Sequence, residues 1–400
     1  MSTPLGSDKV MVINCGSSSL KYQLVDPVSG NAAASGLVEQ IGEPTGRVTH
    51  KQGGQRSEYT GEIPDHAQGL SLVGFMFTEA GMPLKDAGIA AFAHRYGHGG
   101  TLFRHPVVVT DVVAAELERL SDLAPLHNPA NLMGILVAKE KYPDIPHVAV
   151  FDTQFYTTLP DAVTTYAIDA DVAQKYGIRK YGFHGASHQY VSEQAAEFLG
   201  RPLADLNIIT LHLGNGGSVT AVRGGEAVDT SLGMSTNCGV VMGTRCGDLD
   251  PGAIVELVRK ADMDADQLQE LLYRKSGLKG LCGDNDLRDI RRRREDGDAV
   301  AQLAHDVYVL SLRKYIGAYL VTLGRVDAIV FTAGIGENAD DVRADALANL
   351  ESLGIVLDAD RNQSDERTAR RISADESKVQ VLVVPTNEEL ALAREAWKYV

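Results

Sequence analysis

The sequence predicts an α/β fold built as two related domains, and three observations carry that expectation. Strand-like runs such as "HVAVF" from His147, "NIITLHLG" from Asn207 and "DAIVFTAG" from Asp327 alternate with segments of three- and four-residue apolar spacing. A chain of 400 residues exceeds one compact core and suits two. An internal echo links the halves. "VMVINCGSSSLKYQLVDPVSG" near the start and "IITLHLGNGGSVTAVRGGEAV" from Ile208 each read as strand, small-residue turn, strand and second turn.

Along the chain, "DVVAAELERLSDLA" from Asp111 and the long stretch from Ala299 carry helical periodicity. The acidic "DMDADQ" at 262–267 has Gln267 and Tyr273 where a calcium loop needs Gly and Glu, so it reads as a helix start. "RRRRE" at 291–295 reads as the charged face of a helix. The polar stretch 358–378 leads into a strand, "VQVLVVP". The net charge of −15 argues against general affinity for nucleic acid or anionic membrane, without excluding local anion binding. The N-terminus lacks a basic head followed by an apolar stretch, and no run reaches the ~18 apolar residues of a membrane span, so the cytoplasm is the expected compartment. Cys15, Cys238, Cys246 and Cys282 form no CxxC pair and are expected to be reduced thiols. Cys15 and Cys246 lie in glycine-rich segments, where exposed thiols would be open to modification.

A small-residue turn after a strand lets backbone N–H groups approach an anion. Neither echoed turn has P-loop or GxGxxG spacing, and each alone suits a tight hairpin. Lys21 beside one, and His212 and Asn215 within the other, shift the reading to phosphate. Five further stretches hold groups suited to phosphoryl transfer: "HRYGHGG" (His94, Arg95, His98), "PLHNPAN" (His127, Asn128), "FDTQF" (Asp152), "YGFHGASH" (His184, His188) and "MGTRCGDLDP" (Arg245). Phosphoryl transfer is catalysed mainly by positioning and cationic stabilisation, work that suits Arg. Asp152 alone could be a helix N-cap. Glycines 97, 99, 100, 182, 185, 243 and 247 are expected to leave backbone open around these groups. HExxH and GxSxG are absent. "FTAGIGENA" offers backbone for an adenine or ribose, "DNDLRDI" offers Asp286 and Arg288, and "PTNEEL" places Glu388 in the first turn of a last helix, able to reach Mg²⁺ on phosphates.

In this order and nearly end to end, these motifs resemble those of the acetate kinase family, in the superfamily of actin, sugar kinases and Hsp70-type ATPases. The resemblance implies two duplicated actin-like (ribonuclease H-like) domains around a nucleotide cleft. Residues 1–153 with 385–400 would form the acyl- and phosphate-binding domain, and 154–384 the nucleotide-binding and dimerisation domain. It implies ATP or ADP as co-substrate, with Mg²⁺, or Mn²⁺, at Asn14 and Glu388. Nucleotide contacts would come from Ser17, Ser19 and Lys21, from His212, Leu213, Gly214, Asn215 and Gly216, from Asp286, Leu287 and Arg288, and from Gly334, Ile335, Gly336, Glu337 and Asn338. Arg95 and His127 would bind substrate, and Asp152, His184 and Arg245 would be catalytic. The partners implied are small molecules and a second copy of the chain, a homodimer formed largely by long C-terminal helices.

The sequence departs from the family where the acyl pocket is expected. Tyr96 and Gly97 stand where the family has two Val residues, and Thr236 where it has a Pro; Leu126 and Phe183 are retained. Gly97 removes a branched wall, which Tyr96 could refill. Acetate is the expected substrate, with propionate the alternative. Butyrate or a sugar as acceptor, and a non-catalytic nucleotide-binding protein, are the remaining readings.

Overall fold

The computed structural model describes residues 8–125 and 127–400. Residues 1–7, which carry the expectation about a leader, and Leu126 lie outside the described residues. The chain divides into two compact units, one running to Thr157 and joined by Asn387–Val400, the other Thr158–Thr386.

In the first unit one sheet contains β1 (Lys9–Cys15), β2 (Ser19–Val25), β3 (Ala32–Glu39), β4 (Gly46–Gln52), β5 (Gln55–Gly61), β6 (Ile89–Tyr96), β7 (Val107–Val108) and β8 (His147–Phe151). Their order is β5-β4-β3-β2-β1-β6-β8-β7. The second unit's sheet contains β9 (Asn207–Leu213), β10 (Gly217–Arg223), β11 (Glu226–Thr230), β12 (Ala328–Thr332), β13 (Arg370–Arg371) and β14 (Gln380–Val383), ordered β11-β10-β9-β12-β14-β13. Three antiparallel strands followed by two parallel ones form the core of both sheets: β3-β2-β1-β6-β8 and β11-β10-β9-β12-β14. The fold is therefore α/β and duplicated, with actin-like topology. The echoed hairpins are equivalent in register: Asn14 pairs with Lys21 as His212 pairs with Ser218.

β8 and β12 are buried at all five positions, as parallel strands covered on both faces must be. In β6 every residue is buried except Arg95. The edge strand β5 reads QRSEYTG and buries none of its residues, which blunts edge-to-edge pairing. Helix Ala299–Leu323 starts at Asp298, whose carboxylate accepts from Val300 and Ala301 N–H, and it buries Ala304, Tyr308, Leu312, Ile316 and Tyr319 on one face. Asp264 and Gln267 form a capping box for helix Ala265–Arg274, so "DMDADQ" is a helix start. Helix Asp111–Arg119 is shorter than its periodicity suggests. Tyr96 Oη donates to Leu117 O and Asn128 Nδ2 to Leu120 O, diverting the carbonyls that would continue it. Among the described residues no helix is long and apolar enough to cross a membrane.

Helix Asn128–Lys141 lies so close to β1 that a β-carbon on Gly134 would sit 2.3 Å from Cys15 Sγ. Cys15 is consequently buried, and burial pushes its thiol up to about 12, so the expected exposed thiol at this turn is not found. Cys246 is half-buried with its thiol also raised, chiefly by burial.

Beneath the first sheet His147 Nε2 donates to Tyr142 O at 3.1 Å, which leaves its Nδ1 to accept from His94 Nε2 at 2.9 Å. Both rings are buried and stack with Phe92. Burial lowers His147 to about 4, and burial with the neighbouring His147 lowers His94 well below the ordinary value of 6.5. The unfolded chain thus binds more protons between these limits, and stability falls as pH drops from 6.5 toward 4. Each ring contributes a slope of up to ~1.4 kcal/mol per pH unit in that window. Urea titrations at several pH values should show a shallower acid slope for His94→Leu/His147→Phe than for the parent chain; equal slopes would contradict this account.

Candidate active site

In open α/β sheets ligands bind beyond the carboxyl ends of the parallel strands. In the first unit those ends carry Asn14 on β1, Arg95 on β6 and Asp152 immediately after β8. Arg95 grips Asp152 with two parallel bonds, Nε to Oδ1 at 3.0 Å and Nη2 to Oδ2, while its Nη1 reaches Asn14 Oδ1 at 3.5 Å. Asp152 is 3% exposed and Arg95 24%, so the open end of the guanidinium is the cluster's accessible cation. Asp152 first, then Glu388 and Glu389, hold Arg95 protonated against the opposing effect of burial. Glu388 begins helix Glu388–Trp397, capped by Asn387, whose Oδ1 accepts from Leu390 N–H at 3.0 Å. Burial raises the Glu388 carboxyl, with Asp152 and Glu389 adding to the rise and Arg95 and Lys21 opposing it. Lys21 pairs with Glu389 on the same helix.

The first-hairpin turn is closed by Gly16 N–H donating to Ser19 O at 2.8 Å, with Ser17 exposed and Ser19 half-buried. In "HRYGHGG", however, the backbone is not open. Gly97 N–H donates to Asn131 Oδ1, His98 N–H to Asn128 Oδ1, Gly99 N–H to Thr153 Oγ1 and Gly100 N–H to His98 Nδ1. Buried amides require such partners, and helix Asn128–Lys141 supplies two of them. His98 is a buried structural ring, lowered to about 4 by burial. Tyr96 does not refill the space at Gly97, because it points into a core of Phe151, Leu117, Leu132 and Ile135. Gly97 leaves little space to fill: a β-carbon there would lie 3.2 Å from both His127 Cβ and Asn128 Oδ1. His127 is half-buried directly before that helix, and Leu126 lies outside the described residues.

In the second unit His184, in a left-handed conformation (φ 60°), precedes helix Gly185–Leu199. Its Nδ1 lies 2.8 Å from Ser218 Oγ, and its ring stacks on His212 at 4.4 Å. His212 Nδ1 lies 2.8 Å from Ser187 Oγ, itself 2.8 Å from Thr386 Oγ1. Arg245 Nη1 donates to Thr236 O at 3.1 Å. A β-carbon on Gly216 would lie 3.4 Å from Arg245 Nη1 and 3.7 Å from His184 Nε2, so the Arg245 and His184 side chains converge on the turn after β9. Thr236 is half-buried beside Arg245, and Phe183 packs with Leu232 and Met242.

Beside that turn a cavity joins three sequence-distant segments: Gly214 and Asn215, then Asp286, Leu287 and Arg288, then Gly334, Ile335 and Asn338. Arg288 forks onto Asp286, whose carboxyl it lowers to about 2 while Asp286 also caps helix Leu287–Glu295. His212, Leu213, Gly216, Gly336 and Glu337 do not line this cavity. Glu337 is occupied internally, its Oε1 accepting from Ala333 N–H at 2.9 Å and Thr386 N–H at 3.1 Å. Gly336 packs its backbone against Phe331.

Sequence reading missed Asn131, Ser218, Ser187 and Thr386. Asn131 is three residues from Asn128 and Ser187 three from His184, spacing that was a usable signal; Ser218 had none beyond its place in the echoed hairpin.

The duplicated actin-like fold, with a glycine turn, an Arg–His pair and a polar cavity in its second unit, defines the class of protein. Comparison narrows it. The profile of the Acetokinase family matches residues 9–394. The chain is 53% identical to an acetate kinase of Leifsonia xyli subsp. xyli over 391 residues (98% of each), and 51% identical to one of Streptomyces avermitilis (98% and 97% covered). Among solved structures it resembles Porphyromonas gingivalis acetate kinase (TM-score 0.93, 40% identity, 98% and 99% covered). It also resembles a propionate kinase from Francisella tularensis subsp. tularensis (TM-score 0.91, 36% identity, 97% and 98% covered). The chain belongs to the acetokinase family.

The Arg245 loop rests on the segment after Ser276: Leu278 N–H donates to Met242 O and Lys279 N–H to Gly243 O. Immediately before them Gly277 has φ 62°, and a β-carbon there would lie 2.2 Å from Met242 O and 2.7 Å from Arg245 O. Gly277→Ala is expected to cost ~1–3 kcal/mol through backbone strain and overpacking, read as a lowered Tm by calorimetry. An unchanged Tm would show that the loop yields freely.

Proposed function

We propose that the protein is an acetate kinase, transferring the γ-phosphoryl group of ATP directly and in line to acetate, and reversibly from acetyl phosphate to ADP. The convergence of Arg245 and His184 on Gly216, next to the cavity reaching Asp286 and Gly334, is the observation that supports this most strongly. Those two cations neutralise the equatorial oxygens of the transferring group. Gly214, Asn215, Asp286, Leu287, Arg288, Gly334, Ile335 and Asn338 hold the nucleotide, with His212 stacked behind His184. Arg95 binds the acetate carboxylate through its open edge while Asp152 fixes its orientation. A carboxylate is already nucleophilic, so Asp152 orients rather than deprotonates. Ser17, Ser19 and Lys21 contribute to phosphate binding, and His127, Phe183, Leu126 and Thr236 to the acyl site.

Asn14 and Glu388 present hard oxygen donors against Arg95, and no group of three or more His, Cys, Asp or Glu forms a metal cage among the described residues. That donor set fits Mg²⁺, or Mn²⁺, which retains waters and takes one or two protein oxygens with substrate phosphates. The ion supplies neutralisation of phosphate charge. Second copies of the chain would dock through the face of helix Ala299–Leu323 that exposes Val300, Leu303, Leu310 and Val321. A cytoplasmic location accords with four free cysteines and the use of ATP.

Propionate is the second reading, favoured by the loss of a side chain at Gly97. His127 and Asn128 close on that position, which supports acetate. Each CH₂ of the acyl chain is worth ~0.8 kcal/mol, roughly fourfold in selectivity. A coupled ATP assay across formate, acetate, propionate and butyrate should give the highest kcat/KM with acetate; a preference for propionate would reverse the ranking. In the same assay Arg245→Ala should lower kcat by ~10²–10³-fold. Near-normal turnover would remove Arg245 from the reaction.

A further inference from the structure

Behind His184 runs a buried chain of three hydrogen-bonding side chains. His184 Nδ1 lies 2.8 Å from Ser218 Oγ, Ser218 Oγ 2.7 Å from His188 Nε2, and His188 Nδ1 2.6 Å from Thr210 Oγ1. Thr210 Oγ1 in turn donates to Thr220 O at 3.4 Å. Ser218, His188 and Thr210 are each fully buried, so each polar atom is committed to its neighbour.

The carbonyl of Thr220 offers the Thr210 proton an acceptor, which permits one direction for the whole chain. A hydroxyl carries one proton. With the Thr210 proton directed at a carbonyl, Thr210 accepts from His188 Nδ1–H. His188 Nε2 then carries a lone pair and accepts the Ser218 proton. Ser218 Oγ, its proton spent, accepts from His184 Nδ1–H. We propose that Ser218 and His188 are positioning residues that hold His184 as its Nδ1–H tautomer, leaving Nε2, the atom facing Gly216 and Arg245, as the one that gains and loses a proton. The inference rests on the assignment of His184 to phosphoryl-group stabilisation and deepens it.

Charge accounting selects this polarity over its reverse. An imidazolium donates from both nitrogens, so His184 can become cationic only if Ser218 accepts. The reverse chain, with Ser218 donating to His184 Nδ1, would keep the ring neutral. His188 cannot compete for the proton, because burial and the adjacent His212 hold it well below 6.5. Among the groups facing His184 are Ser218, the stacked His212 and, across Gly216, Arg245. Arg245 and any second ring charge oppose protonation, whereas a bound anionic phosphate favours it. The ring is thereby poised to charge when substrate arrives.

The test is ¹⁵N NMR of the full chain labelled at histidine, with His184→Gln identifying the resonance. The expected spectrum has His184 protonated at Nδ1 at high pH, with Nε2 titrating. Ser218→Ala should give mixed tautomers and a shifted titration, and should lower kcat by ~10–100-fold while both KM values stay within about threefold. Ser218→Thr, which restores a hydroxyl, should recover both the tautomer and kcat. An Nε2–H tautomer in the parent chain, or a tautomer unmoved in Ser218→Ala, overturns the proposal. A tautomer shift without any change in kcat would uphold the hydrogen-bond direction and overturn the catalytic assignment of His184 instead.

Discussion

The polar architecture of the first unit is organised around the fork of Arg95 on Asp152. Two charges from neighbouring parallel strands meet with both carboxylate oxygens matched to two guanidinium donors, in a place where Asp152 has almost no access to water. Removing either partner would strand the other, and a buried uncompensated charge costs about 3–5 kcal/mol. The pair therefore fixes the ends of β6 and β8 relative to each other, and Asn14 on β1 is drawn into the same arrangement. Because both carboxylate oxygens face Arg95, the arginine presents only its remaining edge. An anion arriving there meets an oriented cation and need not reorganise it, which is the electrostatic preorganisation that phosphoryl and carboxylate chemistry favours.

The equivalent hairpin of the second unit carries a different set of groups. Duplication places His212 where the first unit has Asn14, and Ser218 where it has Lys21. The same hairpin scaffold thus carries hard oxygen and ammonium groups in one copy, and imidazole and hydroxyl groups in the other. Hydroxyls partner these rings: Ser218 stands between His184 and His188, and Ser187 links His212 to Thr386. Direct ring-to-ring bonding would force neighbours to share protons. Intervening hydroxyls let each ring keep its own protonation state.

The hairpins, the buried parallel strands and the long helix from Ala299 were legible because local patterning and packing demand agree there. The residue types at strand ends were legible too, since Asn14, Arg95 and Asp152 stand beside recognisable runs. Contacts made across long sequence separations were not. Helical spacing puts Asn131 on the face of Asn128, but it does not say that Asn131 will hold Gly97, and nothing local says that Glu337 will turn inward to Ala333 and Thr386. The orientation of Tyr96 was within reach, because successive strand residues face opposite sides and Arg95 already claimed the site side. The glycine run misled for a physical reason: missing side chains expose backbone amides, but in a buried place protein groups take those amides first.

The clamped amides of residues 97–100 have a further consequence. Asn128, Asn131 and Thr153 secure the floor of the expected acyl site and at the same time tie helix Asn128–Lys141 to the sheet. Asn131 also donates to Cys15 O on β1. Under the proposed placement of the acyl site, substrate preference and fold integrity would depend on the same few amide groups. A lineage drifting toward bulkier acids could not reshape this floor one residue at a time without loosening the fold, so compensating changes along the helix would have to arrive together.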